Sequence, residues 1–438
     1  MRDFAGMLKQ CKFQGDQLLG VERINQISRQ AGHHWREGKL PPAATVRGMM
    51  QQMAHANISC AAVGQMGGGT FTAEAFCQAR QRLPLQVLRE LNKALADAVM
   101  QKAGQVIGQW KGRHRIFIID GSGFAVPETD ALRDHFGLRS NQKAGCSYPT
   151  CHLLLQLGPG GAATAAICSP FRTGDMTHVM EVQHTIGAGD VVLGDRLFSN
   201  FGHFVLLQNH GAYGLFKTHH SRKIQFGRYR DHGPNRRWVK KLGRCDQLVQ
   251  YRKPDHKPGW MTREQYQQAP EWITVREVKI KVRINGHRKQ VTLVTTLLDP
   301  VRYPPEDLVE LLGQRWTIET NLRSLKTLMG LKHVRCKTVD GVLKELAAYL
   351  LVYNVVRLIM LKAAELQEVQ VLRVSFANTL AWVIYSPSTD GLCRLLINPL
   401  RPGRVEPRRV KKKGRTFPAL YKPREKLRQE IIRKRVAP

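Results

Sequence analysis

Four short apolar runs constrain this chain more than anything else in it. RIFIID (Arg115–Asp120) is rich in β-branched residues and ends at Asp120, just before Gly121-Ser122-Gly123. CHLLLQL (Cys151–Leu157) and ATAAICS (Ala163–Ser169) flank the turn Pro159-Gly160-Gly161. DVVLGD (Asp190–Asp195) repeats the first pattern, and helical periodicity resumes over Ser199–Asn209. Runs of this length and composition read as buried strands. Strands alternating with helices predict an α/β core, with Asp120 and Asp195 delivered at strand ends. Taken alone, each aspartate serves as well as a turn former or a helix cap.

The regions around this core differ in texture. Residues 1–108 read as a helical, locally basic N-terminal domain, with apolar periodicity in Val21–Ile27 and Leu83–Val99 and breaks at Pro41-Pro42 and Gly67-Gly68-Gly69. Arg80, Arg82 and Arg89 sit on an amphipathic helix, where they suit either DNA backbone contact or a solvated face. Residues 109–212 hold the four strands. Residues 213–300 are β-rich and basic: KIQFGRYR, QLVQYRK, WITVREVKIKVRI and QVTLVTTLL, with Asn285-Gly286 marking a hairpin. The aromatics in this block (Tyr229, Trp238, Tyr251, Trp260, Trp272) suit base stacking, although packing in the sheet is the commoner fate. Residues 301–385 return to helix. Residues 386–438 form a basic tail, with RRVKKKGR (Arg408–Arg415), YKPREKLRQ (Tyr421–Gln429) and RKR (Arg433–Arg435), expected to stay extended until it meets a polyanion.

Pro304-Pro305 introduces a predicted helix over Glu306–Leu331. At about 100° per residue, Leu311, Ile318, Leu322, Leu325 and Met329 share its core side, and Arg315, Glu319, Arg323 and Lys326 lie beside them. A single carboxylate among cations fits a solvated flank with Arg315–Glu319 and Glu319–Arg323 pairs of a few tenths of a kcal/mol each. Taken alone the stripe favours that flank, and only the rest of the chain can make it a carboxylate held within a phosphate grip.

Charge narrows the choice. The chain of 438 residues carries a formal net charge of +34, so it repels itself unless it meets a polyanion. Nucleic acid is the first candidate partner, because phosphate neutralisation releases counterions, ahead of an anionic membrane surface or a ribosomal location. The nine cysteines form no CxxC pair, and reduced thiols in a cytoplasmic protein are the expectation. No signal peptide is legible in MRDFAGMLKQCKF, and the apolar stretch Leu346–Leu361, interrupted by Asn354 and Arg357, reads as a core helix rather than a membrane span.

Asp120, Asp195 and Glu319 thus form a set of carboxylates suited to hard divalent cations, Mg²⁺ with Mn²⁺ as a substitute. Such a set supports in-line displacement at phosphorus. Arg315, Arg323 and Lys326 would hold the DNA backbone that the acidic centre repels.

In these residues the chain resembles the DDE transposases of bacterial insertion sequences, in the subgroup of insertion-sequence family four. That family carries a Tyr-Arg-Glu-Lys motif. Leu312, Arg315, Glu319 and Lys326 keep its spacing, with Leu312 in place of the tyrosine, and RWTIE (Arg315–Glu319) matches its centre. IIDGS (Ile118–Ser122) and LGDRLFSN (Leu193–Asn200) match the two aspartate motifs, and LLDP (Leu297–Pro300), YNVVRLIM (Tyr353–Met360) and FCQARQRLP (Phe76–Pro84) extend the likeness.

The resemblance implies a ribonuclease-H-like mixed sheet flanked by helices and interrupted by a β-rich insertion. It also implies cut-and-paste transposition by metal-assisted cleavage and strand transfer, without a covalent enzyme–DNA bond. Asp120, Asp195 and Glu319 become the catalytic metal ligands, and Arg315 and Lys326 grip phosphates near the cleavage site. The partners are terminal inverted repeats and target DNA, bound by a homodimer in a synaptic complex at the bacterial nucleoid, with no membrane. A catalytically silent DNA-binding derivative, or a two-metal nuclease without strand transfer, stands as the alternative.

Overall fold

The structure, a computed structural model, describes residues 2–138, 145–219, 222, 224–230, 232–284, 287–386, 391–399 and 420–436. Its frame is a nine-stranded mixed sheet: β1 (Ile116–Ala125), β2 (Thr150–Leu157), β3 (Ala163–Pro170), β4 (Val191–Gly194), β5 (Tyr213–Lys217), β6 (Arg236–Gly243), β7 (Asp246–Arg252), β8 (Trp272–Ile284) and β9 (His287–Thr295). The order across the sheet is β3-β2-β1-β4-β5-β9-β8-β7-β6. The strands β1, β2 and β3 run antiparallel, β4 and β5 join β1 in parallel, and β9 turns antiparallel again.

All four apolar runs are strands, as their composition predicts. The first is longer than expected. Asp120 does not end it, because β2 pairs onward from Asp120↔Leu155 through Ala125↔Thr150, whereas β4 leaves at Ile118↔Leu193. Asp120 therefore lies one turn of the pleat beyond the parallel pairing, at a notch where β1 has lost one neighbour. The β-rich stretch extends the same sheet past β5. Within it KIQFGRYR forms no strand among its described residues, and β6 takes that role instead. Asn285-Gly286 lies outside the described residues, although Ile284 and His287 pair directly on either side of it.

One apolar face of the sheet (Ile118, Leu153, Leu155, Val191, Leu193) shares a continuous core with helices Pro42–Ala54, Leu85–Val106 and Val339–Leu366. The other face (Phe117, Ile119, Val192) is covered in part by helix Phe201–Asn209. Val339–Leu366 is long and apolar enough to cross a membrane by length and composition, yet 94% of its most apolar window is buried inside the protein. Its polar interruptions are satisfied there. Asn354 donates to Asn92 and to Ala163 O, and accepts from Ala163 N at 2.8 Å.

Arg80, expected on a basic face, is instead buried. Its guanidinium meets Glu345 at 3.3 Å, and Glu345 also accepts from Asn57 and from the backbone N–H groups of Arg335 and Cys336. Removing one partner of such a buried pair costs about 3–5 kcal/mol. The pair therefore fastens the N-terminal helices to the segment that follows Glu319. The tail also departs from expectation. Residues 424–436 are a helix, with Arg428–Glu425 and Lys422–Glu430 pairs offsetting part of its charge, and Leu420 N donates to Cys146 O. Arg408–Arg415 lies outside the described residues.

Candidate active site

The predicted helix over Glu306–Leu331 is not one helix. It runs Pro305–Gly313 and Trp316–Arg323, then loosens into a π turn at Ser324–Leu328. Between the two α segments, the N–H groups of Gln314 and Arg315 bond back only three residues, to Leu311 O (3.0 Å) and Leu312 O (3.1 Å). A tightened turn followed by a widened one changes which side chains share a face, and such irregularities recur at functional sites.

The cations of the stripe have different fates. Arg315 turns inward and is 7% exposed. One of its terminal nitrogens lies 3.2 Å from Glu319, and the other 3.9 Å from Asp120 on β1. Lys326, in the π turn, donates to Ser122 Oγ (3.1 Å) and Gly123 O (2.6 Å), fixing this segment against the far half of β1. Arg323 is exposed, and no Glu319–Arg323 pair exists among the described residues. Leu312, where the resemblance expects a tyrosine, is buried in the main core, so this position presents no hydroxyl to the site.

Asp195 directly follows β4 and caps the short turn Arg196–Phe198, accepting from Arg196 N at 2.7 Å. Burial pushes the Asp120 carboxyl up to about 6. Arg315 and the Gly121 N–H act against that shift, and the charges of Asp195 and Asp175 add to it. Asp120 is thus coupled to Asp195 by charge and to Glu319 through the shared Arg315. Like charges gathered in a partly dry notch make an unfavourable arrangement that a cation relieves.

Three neighbours lie outside the sequence expectations. The parallel register Gly194↔Phe216 brings Lys217 alongside Asp195. Burial, then Arg315, lower the Lys217 pKa, while Asp195 and Glu319 raise it. Asp175 reaches across to β1, held by His152 Nε2 at 2.6 Å, and its carboxylate fills the space beside Gly121. Trp316 is 55% exposed next to Arg315, whose guanidinium lies 5.6 Å from its ring centroid. Only RWTIE hinted at Trp316. Lys217 and Asp175 lie in segments whose sequence carries no comparable signal. Of the aromatics in the β-rich block, Tyr251 is buried on Glu277, Trp272 lies under Arg237 at 3.8 Å, and Tyr229 is exposed.

Among the described residues, no group of three or more His, Cys, Asp or Glu side chains is assembled tightly enough to hold a metal ion. The donor set nevertheless suits one. Asp120, Asp195 and Glu319 are hard oxygen donors around one notch, and the Arg315 guanidinium occupies the position of a shared counter-charge between Asp120 and Glu319.

The family model described as Transposase DDE domain matches residues 111–355, more than half of the chain. Among curated proteins, the chain is similar to Transposase InsG for insertion sequence element IS4 from Escherichia coli (strain K12), at 25% identity over 303 residues. That match covers 68% of this chain and 64% of InsG, so the chain spans about 64% of the length of the curated relative it matches. Among solved structures, the cryo-EM structure of the piggyBac transposase synaptic complex with hairpin DNA is similar at 10% identity and a TM-score of 0.42, over 86% of this chain and 80% of that one. A likeness that distant carries no weight for fold or function.

Proposed function

The chain belongs to the transposase DDE domain family, and from that premise we propose that it moves an insertion sequence by cut-and-paste cleavage and strand transfer on DNA. The observation that carries this reading is the Arg315 link between Asp120 and Glu319, beside Asp195. Residues about two hundred positions apart in sequence share one notch, in a chain whose net charge of +34 requires a polyanionic partner. The mixed five-strand core β3-β2-β1-β4-β5 supports a ribonuclease-H-like catalytic domain of residues 109–212 and 301–385, to which the first residues of the β-rich stretch at 213–300 add β5 (Tyr213–Lys217).

Asp120, Asp195 and Glu319 would hold the divalent ions, Mg²⁺ or Mn²⁺. When bound, these supply an activated water or 3′-hydroxyl and charge neutralisation at the leaving oxygen. The chain's own groups do the rest. Arg315, once its carboxylates are neutralised, turns from counter-charge to phosphate contact. Arg323, one turn on from Glu319, offers an exposed guanidinium to the DNA backbone. Lys326 keeps the Glu319 segment in register with β1 through Ser122 and Gly123, and neutralises backbone charge at the notch. The N-terminal residues 1–108 would bind the element ends. A homodimer would bring two ends together on the nucleoid, in the cytoplasm.

A strand-transfer assay tests this reading. A duplex copied from the inverted repeat flanking the reading frame is incubated with the protein, Mg²⁺ and a target plasmid. The reading expects new 3′-hydroxyl ends that become joined to the plasmid. Cleavage without joining would make the chain a two-metal nuclease, and binding without cleavage a silent DNA-binding derivative.

A further inference from the structure

The N-terminal region contains a cleft of about 440 Å³ between the segment Arg36–Leu40 and the segment Gly69–Thr72. Arg36, Lys39 and Arg82 line it, and no carboxylate does among its described lining residues. None of these cations takes part in an ion pair among the described residues. The contrast with Arg80 is informative. Two residues apart on helix Ala73–Arg82, Arg80 is buried on Glu345 while Arg82 opens onto the cleft. The helix thus divides its cations between holding the fold and facing outward.

The walls are built rather than loose. Behind the Arg36–Leu40 side, outside the lining itself, Trp35 stacks against His33 (centroids 5.8 Å apart) and lies under Arg29 at 5.2 Å. On the other, Gly69 N bonds to Gly64 O at 2.9 Å and Thr70 Oγ1 to Gly67 O at 3.0 Å. Thr72 lines the cleft and caps the helix by accepting from Ala75 N at 3.2 Å.

Cations gathered without acidic partners repel one another, and the cost is recovered only when an anion arrives. The cleft has no exposed aromatic platform, since Phe71, the ring that lines it, is buried. That feature disfavours unstacked single-strand bases, which need a π-face, and favours backbone phosphate.

We propose that this cleft is a phosphate cradle for the backbone of duplex DNA, in which Arg36, Lys39 and Arg82 neutralise consecutive phosphates independently of sequence. The proposal rests on the reading of the chain as a DNA transposase and assigns a backbone contact well away from Glu319. It predicts binding without base selectivity at this surface. Selectivity for an element's ends would come from other surfaces than this cleft.

The test uses the full chain and the triple variant Arg36→Gln/Lys39→Gln/Arg82→Gln, with fluorescence anisotropy of the inverted-repeat duplex across a salt series. Each lost phosphate contact removes about 0.9 from the slope of log K against log salt. The triple variant is therefore expected to bind with a slope shallower by about 2–3, and Lys39→Gln alone by about 1. An unrelated duplex of equal length should lose the same amount. All three side chains line an open surface, so thermal unfolding should coincide with that of the parent. An unchanged slope would overturn the cradle, as would a loss confined to single-stranded DNA or to the inverted repeat. A parent chain without salt-dependent duplex binding would overturn the transposase reading itself.

Discussion

The carboxylate of Asp175 occupies the space that a Cβ on Gly121 would need. The clash would fall on the residue next to Asp120, and Asp175 cannot retreat without giving up its 2.6 Å bond to His152. The absent side chain at 121 is thus what lets a second acidic group stand behind the strand that carries Asp120.

Gly121→Ala should accordingly destabilise the protein by about 1–3 kcal/mol, the usual cost of overpacking a fitted site. Urea unfolding reads this as a lower midpoint with an unchanged slope. DNA cleavage should fall alongside. A midpoint equal to the parent's would mean that Asp175 is not held where the structure has it.

Asp120→Asn should do the opposite to stability. With the Asp120 carboxyl pushed up to about 6 by burial, Asp195 and Asp175, the folded state takes up its proton more readily than the unfolded chain does. The penalty is absent below the ordinary aspartate range, near pH 4, and grows as pH rises to about 6. The asparagine carries no such penalty. In the absence of divalent ions its advantage should be near zero around pH 4 and ~1–3 kcal/mol at pH 7. Added Mg²⁺ should narrow the gap by stabilising the parent. A gap independent of pH would contradict a titrating origin for the penalty.

His203 sets a second, reverse slope. It is fully buried, with Nδ1 2.9 Å from Phe198 O, and burial pushes its pKa down to about 4. The unfolded chain therefore binds a proton that the folded state refuses between the ordinary histidine value, near 6.5, and about 4. Stability should fall as pH falls through that window, by on the order of 3 kcal/mol in all. His203→Asn keeps a donor for Phe198 O and removes the titration. Chemical denaturation of the two proteins at several pH values should show the parent losing ground on acidification relative to the variant. Parallel curves would remove His203 from the explanation.

Much of the frame was legible because buried strands have a composition of their own. RIFIID, CHLLLQL, ATAAICS and DVVLGD are all strands, and the β-rich stretch lies between Asp195 and Glu319 as expected. Helical periodicity misled at 314–328, since a tightened turn and a π turn in succession preserve the apolar spacing while changing which residues face the site. Arg315 sits in the notch, while Arg323 ends the regular helix Trp316–Arg323 exposed and makes no pair with Glu319 among the described residues. Arg80 misled for a different reason. A buried guanidinium looks like a surface one until its partner, Glu345, is known, and that partner lies 265 residues away. Lys217 and Asp175 were invisible because only sheet register and a long-range bond bring them to the site.

The proposed role of Glu319, completing a catalytic set with Asp120 and Asp195, is open to a direct test. Glu319→Gln removes one negative charge and keeps the side chain's size at a position whose side chain is 42% exposed, so folding should be spared. The decisive measurement follows this variant on the inverted-repeat duplex in Mg²⁺, with affinity by anisotropy and cleavage by gel in the same samples. Affinity should stay within a few-fold of the parent's, with no cleavage above background. Cleavage at the parental rate would contradict the assignment of Glu319.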